Sequence, residues 1–125
     1  MITKDFVTRF AEDWIDAWNS HDLERILSHY TADFEMSSPV IAQLMNEASG
    51  TLRGKDAIRA YWGKALTQHP ELHFELVNVF AGAASAIITY RGHRGLSAEA
   101  FCFNADGKVY RAAAHYRQAA RVNGA

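Results

Sequence analysis

The residue in this sequence best suited to acid–base chemistry is Glu99, which lies in the segment Glu99-Ala-Phe101-Cys-Phe103. Successive side chains of a β-strand point to opposite faces of the sheet, so Glu99, Phe101 and Phe103 are expected to share one face. A carboxyl group among aromatic rings is poorly solvated, which raises its pKa and favours a role as a general acid or base. The alternative is that Glu99 sits near the start of its strand, at the mouth of the fold, where water solvates it.

The other ionisable residues have structural explanations. Asp22 and Asp33 are explained better by helix capping and by entry into a strand than by catalysis. His21 belongs to the same polar corner as Asp22, and His69 and His73 flank a turn where water is expected to solvate them.

One basic cluster lies between Gly92 and Gly95, where His93 stands with Arg94 and follows Arg91. These side chains could bind an anion, but a charged hairpin tip is the simpler explanation, because charged residues protect the ends of exposed strands.

The sequence contains no motif for a metal or a cofactor. It has one cysteine and six scattered histidines. It also has no nucleophile elbow and no glycine-rich phosphate loop. We therefore expect no metal and no cofactor.

Composition limits the class of protein. The 125 residues suit one domain, so residues 1–125 are predicted to form a single domain. A net charge of −1 argues against nucleic acid or an anionic membrane as the main partner, because both require a basic face. No apolar run approaches the roughly 20 residues that span a bilayer. The first residues lack the apolar segment of a signal peptide, and we expect a cytoplasmic location.

Apolar periodicity predicts helices in the first half of the chain. Residues 4–18 carry an apolar stripe at helical spacing, which Asn19 and Ser20 end. A shorter helix follows, with Leu23, Ile26, Leu27 and Tyr30 facing inward, and a third helix runs from Gly54 to about residue 68. Between them, residues 40–53 are expected to contain one or two turns of helix over an apolar surface.

The rest of the chain reads as strands. A first short strand is predicted at 33–38, and later strands at 72–81, 84–94, 96–104 and 109–119, with the last residues frayed. Helices followed by antiparallel strands indicate an α+β architecture with the helices gathered on one face of a sheet.

The order of elements coincides with residues that point to a known family. They are Trp18-Asn19-x-His21-Asp22-Leu23-x-x-Ile26-Leu27-x-x-Tyr30-x-x-Asp33, then Pro39, Gly54-x-x-Ala57-Ile58-x-x-Tyr61-Trp62, and Phe101-x-Phe103-Asn104-x-x-Gly107-Lys108-Val109. In these residues and their spacing, the chain resembles the nuclear transport factor 2-like superfamily, and within that superfamily the SnoaL-like, polyketide cyclase-like domain proteins. The resemblance covers nearly the whole chain. It implies a cone-shaped cystatin-like fold, in which three N-terminal helices pack on a curved, mostly antiparallel sheet.

Ketosteroid isomerase belongs to the same superfamily and permits a comparison by position. Its catalytic tyrosine falls on Trp14, its general-base aspartate on Ser38, and its oxyanion-hole aspartic acid on Glu99. Only Glu99 keeps the chemistry, since neither an indole nor a serine hydroxyl can replace the missing groups. Ketosteroid isomerase activity is therefore predicted to be absent.

The same comparison assigns faces to the last strand. It places Tyr110, Ala112, Ala114 and Tyr116 toward the helices, where the two alanines would leave space for a ligand. His115 would then face the convex side of the sheet, unless a β-bulge reverses the alternation and brings it inward.

Two functions remain open from the sequence. In the first, the protein binds a small apolar molecule, cyclic or ketone-bearing, and could act on it as a cofactor-free isomerase, cyclase or dehydratase that works by proton transfer. Glu99 would be the acid or base, and Tyr116 and Trp14 would donate hydrogen bonds. The candidate substrate-binding residues are Trp18, Tyr30, Ser38, Val40, Leu44, Trp62, Phe101, Ala112 and Ala114.

In the second, the protein is a non-catalytic ligand carrier or association domain, and its own aromatic side chains fill the pocket. Aromatic residues at helical spacing are as compatible with a core as with a ligand cage. Under either function the resemblance implies a homodimer through the convex sheet face, where Val77, Val79 and Ile87 would otherwise leave an exposed apolar surface.

Overall fold

The computed structural model describes residues 2–118 and has four helices packed on a six-stranded sheet. The helices are α1 (Lys4–Ser20), α2 (Leu23–Leu27), α3 (Pro39–Leu44) and α4 (Lys55–Gln68). The strands are β1 (Tyr30–Ser37), β2 (Thr51–Arg53), β3 (Glu75–Ala81), β4 (Ser85–Gly92), β5 (Gly95–Phe103) and β6 (Val109–Tyr116). No helix within the described residues is long and apolar enough to cross a membrane.

The sheet order is β2-β1-β6-β5-β4-β3, and every neighbouring pair is antiparallel except β1 and β6. The three helices α1, α2 and α4 occur in the predicted order, and α3 is the short helix expected within residues 40–53. The predicted α+β, cystatin-like architecture is therefore confirmed.

Helix α1 carries the main contact between the helices and the sheet. The Thr3 hydroxyl caps its first turn by accepting from the backbone N–H of Phe6 at 3.0 Å. One face of the helix is buried, and Phe10 packs edge-on against Phe101 and Phe103, with ring centroids 5.0 Å and 4.9 Å apart. His21, in the left-handed conformation at φ 61°, ends the helix.

The polar corner after α1 joins that helix to the segment before β3. The Asn19 side chain donates to the carbonyl of Phe74 at 3.0 Å and accepts from its N–H at 2.7 Å. His21 Nε2 lies 2.7 Å from the carbonyl oxygen of Leu72. Asn19 therefore lies within α1 and does not end it as predicted; its side chain fixes the backbone that carries the Phe74 ring.

The structure corrects the predicted limits of several elements. Tyr30 is buried as predicted, but it begins β1 instead of closing α2, which ends at Leu27. The three-residue strand β2 was not predicted, because it is too short to show a periodic pattern. The last strand ends at Tyr116, short of the predicted residue 119, and the predicted frayed residues 122–125 lie outside the described part of the chain.

A β-bulge in β6 changes one predicted orientation. Phe103 pairs with Val109 and Cys102 with Arg111, so Tyr110 is the extra residue between them. The prediction that Tyr110 faces the helices is wrong: its side chain is 44% exposed on the outer face. The alternation beyond the bulge is regular, so Ala112 and Ala114 are buried and His115 is exposed on the outer face.

A second shift of register, between Leu76 and Asn78, changes β3 in a similar way. It leaves Val77 exposed and turns Val79 toward the core, against which Val79 is partly buried. The prediction that Val79 belongs to the convex face is therefore wrong, whereas Val77 and Ile87 are exposed there.

Replacement of Asn19 tests how much the polar corner after α1 contributes to stability. Asn19→Ala removes a side chain that pairs both backbone groups of Phe74, and we expect it to lower the free energy of unfolding by about 1–3 kcal/mol. Urea unfolding followed by circular dichroism measures the change. Asn78→Ala, at an exposed position of β3, is the control, and an equal loss in both variants would contradict the assigned role of Asn19.

Candidate functional site

A cavity of about 70 Å³ opens at one end of the fold, between the helices and the β4–β5 hairpin. Its wall is mostly apolar and aromatic, and Glu99 is the one carboxylate among its described lining residues. The predicted site residues that line it are Trp14, Trp18, Val40, Leu44, Trp62, Glu99 and Tyr116.

Glu99 is buried inside this wall, with only 4% of its surface exposed. Strand β5 places it on the inner face together with Ser97, Phe101 and Phe103, as the alternation predicts. Burial raises its pKa to about 7, and a hydrogen bond from the Tyr90 hydroxyl to Oε1, 3.1 Å long, opposes the rise. Near neutral pH the carboxyl group can therefore both accept and release a proton.

Tyrosine hydroxyls surround the carboxyl group. Burial, followed by the nearby charge of Glu99, raises the pKa of Tyr116 to about 12 and that of Tyr90 well above its ordinary value. The pKa of Tyr61 is raised by burial, and the Ser38 hydroxyl acts in the opposite direction on both Tyr61 and Tyr116. These phenols keep their protons at neutral pH, so each remains a hydrogen-bond donor.

Trp14 lies at the inner end of the cavity, but its N–H already has a partner. The indole Nε1 donates to the Tyr30 hydroxyl at 2.9 Å, and Trp14 is 1% exposed. Tyr30 is buried behind the cavity wall, and its ring packs against the tilted rings of Phe34 and Trp62. In this arrangement Trp14 contributes the face of its ring to the cavity.

Several predicted site residues lie behind the cavity instead of lining it. They are Tyr30, Ser38, Phe101, Ala112 and Ala114, all buried in the core. The reason is the size of the rings from α1 and α4: Trp18 packs on Trp62 with centroids 5.2 Å apart and on Trp14 at 6.2 Å, which closes the deeper part of the fold. Ser38 instead caps α3, its hydroxyl accepting from the Val40 N–H at 3.1 Å. His115, on the outer face, is remote from the cavity.

Tyr90, the direct hydrogen-bond partner of Glu99, is not among the residues predicted from the sequence. A signal for it exists, because the short turn between Gly92 and Gly95 pairs Tyr90 with Ser97 and so places it diagonally beside Glu99 on the same face. Gly92 also allows a close approach, since a Cβ there would lie 2.9 Å from the Phe74 ring.

His69 was predicted to be solvated, but it lines the cavity. The His69 ring, at the end of α4, stacks on His93 with centroids 4.1 Å apart, and both line the cavity next to Arg94. Nothing in the sequence brings these two histidines together, because they belong to elements that are distant along the chain. Other lining residues outside the prediction are Met36, Tyr61, Ala65, Leu72, Phe74, Gly92 and Ser97.

Within residues 2–118, no group of three or more His, Cys, Asp or Glu side chains is arranged to hold a metal ion. The cavity wall itself offers one buried carboxyl group, several phenols and a basic rim.

Comparison with known proteins identifies the family. The model of the SnoaL-like domain matches residues 11–122. The chain belongs to the SnoaL-like family. A SnoaL-like protein of unknown function from Burkholderia thailandensis E264, known from a crystal structure, is 52% identical, with a TM-score of 0.90 over 94% of this chain and 98% of that one. None of the curated proteins compared with the chain matches it.

More distant structures share the fold. A protein of unknown function with a cystatin-like fold from Methylobium petroleophilum PM1 is 16% identical, with a TM-score of 0.74 over 98% of this chain and 82% of that one. An epoxide hydrolase/cyclase-like enzyme with a role in pyran ring formation in the polyether salinomycin is 15% identical, with a TM-score of 0.76 over 94% and 95% of the two chains. These distant structures therefore share the fold of this chain, and the more similar Burkholderia protein has no established function.

The buried carboxyl group predicts how stability depends on pH. Because the folded state raises the pKa of Glu99 to about 7, the folded protein holds this proton more tightly than the unfolded chain, and stability falls as pH rises between the two pKa values. Relative to Glu99→Gln, the free energy of unfolding of the wild type should fall by about 2 kcal/mol between roughly pH 5 and 8. Urea titrations at each pH measure it.

The control for this measurement is Glu12→Gln, which removes an exposed carboxylate of α1. It should leave the pH dependence of the wild type in place. A wild type and a Glu99→Gln variant with parallel stability profiles would contradict the buried, proton-holding state of Glu99.

Proposed function

We propose that this protein binds a compact small molecule in the cavity and acts on it by proton transfer, with Glu99 as the general acid or base. The observation that supports this proposal is the position of Glu99. Its carboxyl group is buried, accepts a hydrogen bond from the Tyr90 hydroxyl, and lies in the wall of a cavity that opens to solvent. A group with a pKa near the working pH is the most effective acid–base catalyst. The reaction class is isomerisation, cyclisation or elimination without a cofactor.

The proposed chemistry begins at a carbon next to a carbonyl group. The Glu99 carboxylate takes a proton from that carbon, and the negative charge passes to the carbonyl oxygen. The Tyr116 hydroxyl, which lines the cavity and keeps its proton, is the proposed donor to that oxygen. Protonated Glu99 then returns the proton to another carbon of the substrate, which completes an isomerisation, or to a leaving oxygen as its bond to the β carbon breaks, which completes an elimination and releases water or an alcohol.

The size of the cavity narrows the substrate. Sites for drug-sized ligands have volumes of about 300–1,000 Å³, far more than the roughly 70 Å³ found here. Only a few non-hydrogen atoms fit beside Glu99, so a substrate larger than this extends through the mouth. A flat polycyclic substrate would require Trp18 and Trp62, whose ring centroids are 5.2 Å apart, to separate.

Hydrogen exchange on simple ketones tests the proposed proton transfer. The protein is incubated in D₂O with acetone, cyclopentanone and 4-oxopentanoate, and proton NMR follows the loss of the C–H signals next to each carbonyl. We expect faster exchange than in buffer for at least one compound, and a loss of about 10²–10⁴-fold in Glu99→Gln. Glu12→Gln is the control and should exchange at the wild-type rate.

Exchange that is equal in Glu99→Gln and the wild type would contradict the role of Glu99. Saturable binding without any exchange would instead support the second candidate function, a non-catalytic ligand carrier or association domain. The observation in its favour is the filled interior, in which Trp14, Trp18, Trp62 and Phe74 pack against one another and leave little free volume.

For either function we propose a homodimer through the outer face of the sheet. Phe80 and Ile87 are paired across β3 and β4 and are 54% and 45% exposed. The row continues through Ala100 and Ala113 on β5 and β6, which gives an apolar stripe across four strands. Contiguous apolar surface of this kind is typical of an association surface.

Ile87→Lys tests the dimer. A charge in the middle of the stripe should convert the dimer to a monomer, because an unpaired ammonium group is costly to bury in an interface. Light scattering after gel filtration measures the mass. Thr67→Lys, on the exposed side of α4, should remain dimeric; a wild type of monomer mass at all concentrations would overturn the proposal.

A further inference from the structure

The rim of the cavity carries a basic cluster that the proposed proton transfer does not use. His93 and Arg94 form the turn between β4 and β5, and His69 stands at the end of α4. These three side chains line both the cavity and a shallow depression outside it, to which Val40 and Tyr116 also contribute. A ligand that enters the cavity from this depression passes the cluster.

The cluster is held in place by stacking. The imidazole rings of His69 and His93 lie nearly parallel, 27° apart, with centroids at 4.1 Å. The Arg94 guanidinium lies over the Tyr116 ring, 5.7 Å from its centroid. Within residues 2–118, Arg94 forms no ion pair, and the carboxylate nearest the histidines is the exposed Glu71, 4.0 Å from His69 Nδ1.

We propose that this rim binds the carboxylate of a compact acid, whose apolar body enters the cavity toward Glu99. The inference rests on the proposed function of the cavity and adds the class of substrate: a short-chain carboxylic acid with a carbonyl or another acidifying group in its body. Arg94 supplies a planar pair of N–H donors that matches a carboxylate. The imidazoles of His69 and His93 supply further donors at the same rim.

The apolar and polar parts of the site are arranged in the order that such a ligand requires. The mouth is basic, and the walls beyond it are formed by apolar and aromatic groups such as Leu72, Trp18 and Phe74. The one buried acid, Glu99, lies in the same wall. A carboxylate is strongly hydrated, so it remains at the mouth and directs the carbon atoms inward.

The titratable groups around the opening predict how binding depends on pH. The groups that face it are His69, Glu71, His93, Arg94, Glu99, Tyr61, Tyr116 and Arg117. Burial first, and then the charges of His69 and Arg94, lower the pKa of His93, so its ring is neutral at neutral pH in the free protein. A bound carboxylate favours the protonated ring, and protonation of Glu99 removes a repulsive charge. Both effects strengthen binding as pH falls.

A matched pair of ligands tests the inference. The probes are 3-methylbutanoate and 3-methylbutanamide, which have the same shape and differ in charge. Binding is followed by the tryptophan fluorescence of the cavity and by ¹H–¹⁵N NMR shifts, at constant ionic strength and near pH 6. We expect the acid to bind about tenfold more tightly than the amide, as a charged hydrogen bond at a partly exposed site would give.

Substitutions of single residues test which side chain causes the preference for the acid. Arg94→Met should reduce the affinity for the acid to that for the amide and leave the amide unchanged. Arg91→Met removes an exposed arginine from the same hairpin and is the control, which should keep the full preference. Arg94→Gln is the second variant if Arg94→Met does not fold. In Glu99→Gln the acid should bind more tightly above about pH 7, with a weaker pH dependence than in the wild type.

The outcomes separate the inference from the proposed function. Equal binding of acid and amide to the wild type, or a preference that survives in Arg94→Met, overturns the carboxylate site and leaves the cavity as a binding site for neutral molecules. Failure of both probes to bind at any accessible concentration overturns the cavity as a site for compact ligands, and the inference with it.

Discussion

The packing of Trp14 determines which part of the interior is closed core and which part remains open as the cavity. Its ring lies within 5.3–5.9 Å of the rings of Phe74, Tyr90 and Phe101, and its N–H is bound by Tyr30. One side chain thus joins α1 to strands β1, β4 and β5 and to the segment before β3. Because the indole, with Trp18 and Trp62, occupies the interior, the remaining space lies at the end of the fold beside Glu99.

The same packing explains why the carboxyl group of Glu99 is unusual. A carboxylate surrounded by rings loses most of its hydration, and a single hydrogen bond from Tyr90 offsets only part of that loss. A core without function would be more stable with an apolar residue at this position. The buried carboxyl group lowers the stability of the folded state at neutral pH. It also leaves a proton donor and acceptor in the wall of an open cavity, and ionisable groups with shifted pKa values of this kind are common at functional sites.

The SnoaL-like family sets the architecture, and the side chains set the chemistry. Trp14 and Ser38, which the resemblance aligns with the catalytic tyrosine and the general base of ketosteroid isomerase, here donate to the Tyr30 hydroxyl and cap α3, respectively. The donors near Glu99 come instead from Tyr90 and Tyr116 on the sheet. Glu99 and these two tyrosines therefore lie on neighbouring strands, whose register holds the three side chains at fixed positions, and the helices supply much of the apolar wall.

Local sequence patterns are sufficient to predict the type of the main elements and the face on which most of their residues lie. Helical spacing marked α1 and α4, strict alternation placed Glu99 with Phe101 and Phe103, and the motif residues identified the family, since all of these depend on residues close together in the chain. Tertiary structure decided the rest. The bulge that turns Tyr110 outward depends on the pairing of β6 with β5, which no local pattern records. The stacking of His69 on His93, the bond of Asn19 to Phe74, and the division of the aromatic rings between core and cavity wall depend on distances between elements far apart in sequence, because periodicity gives a side chain its direction but not its partner.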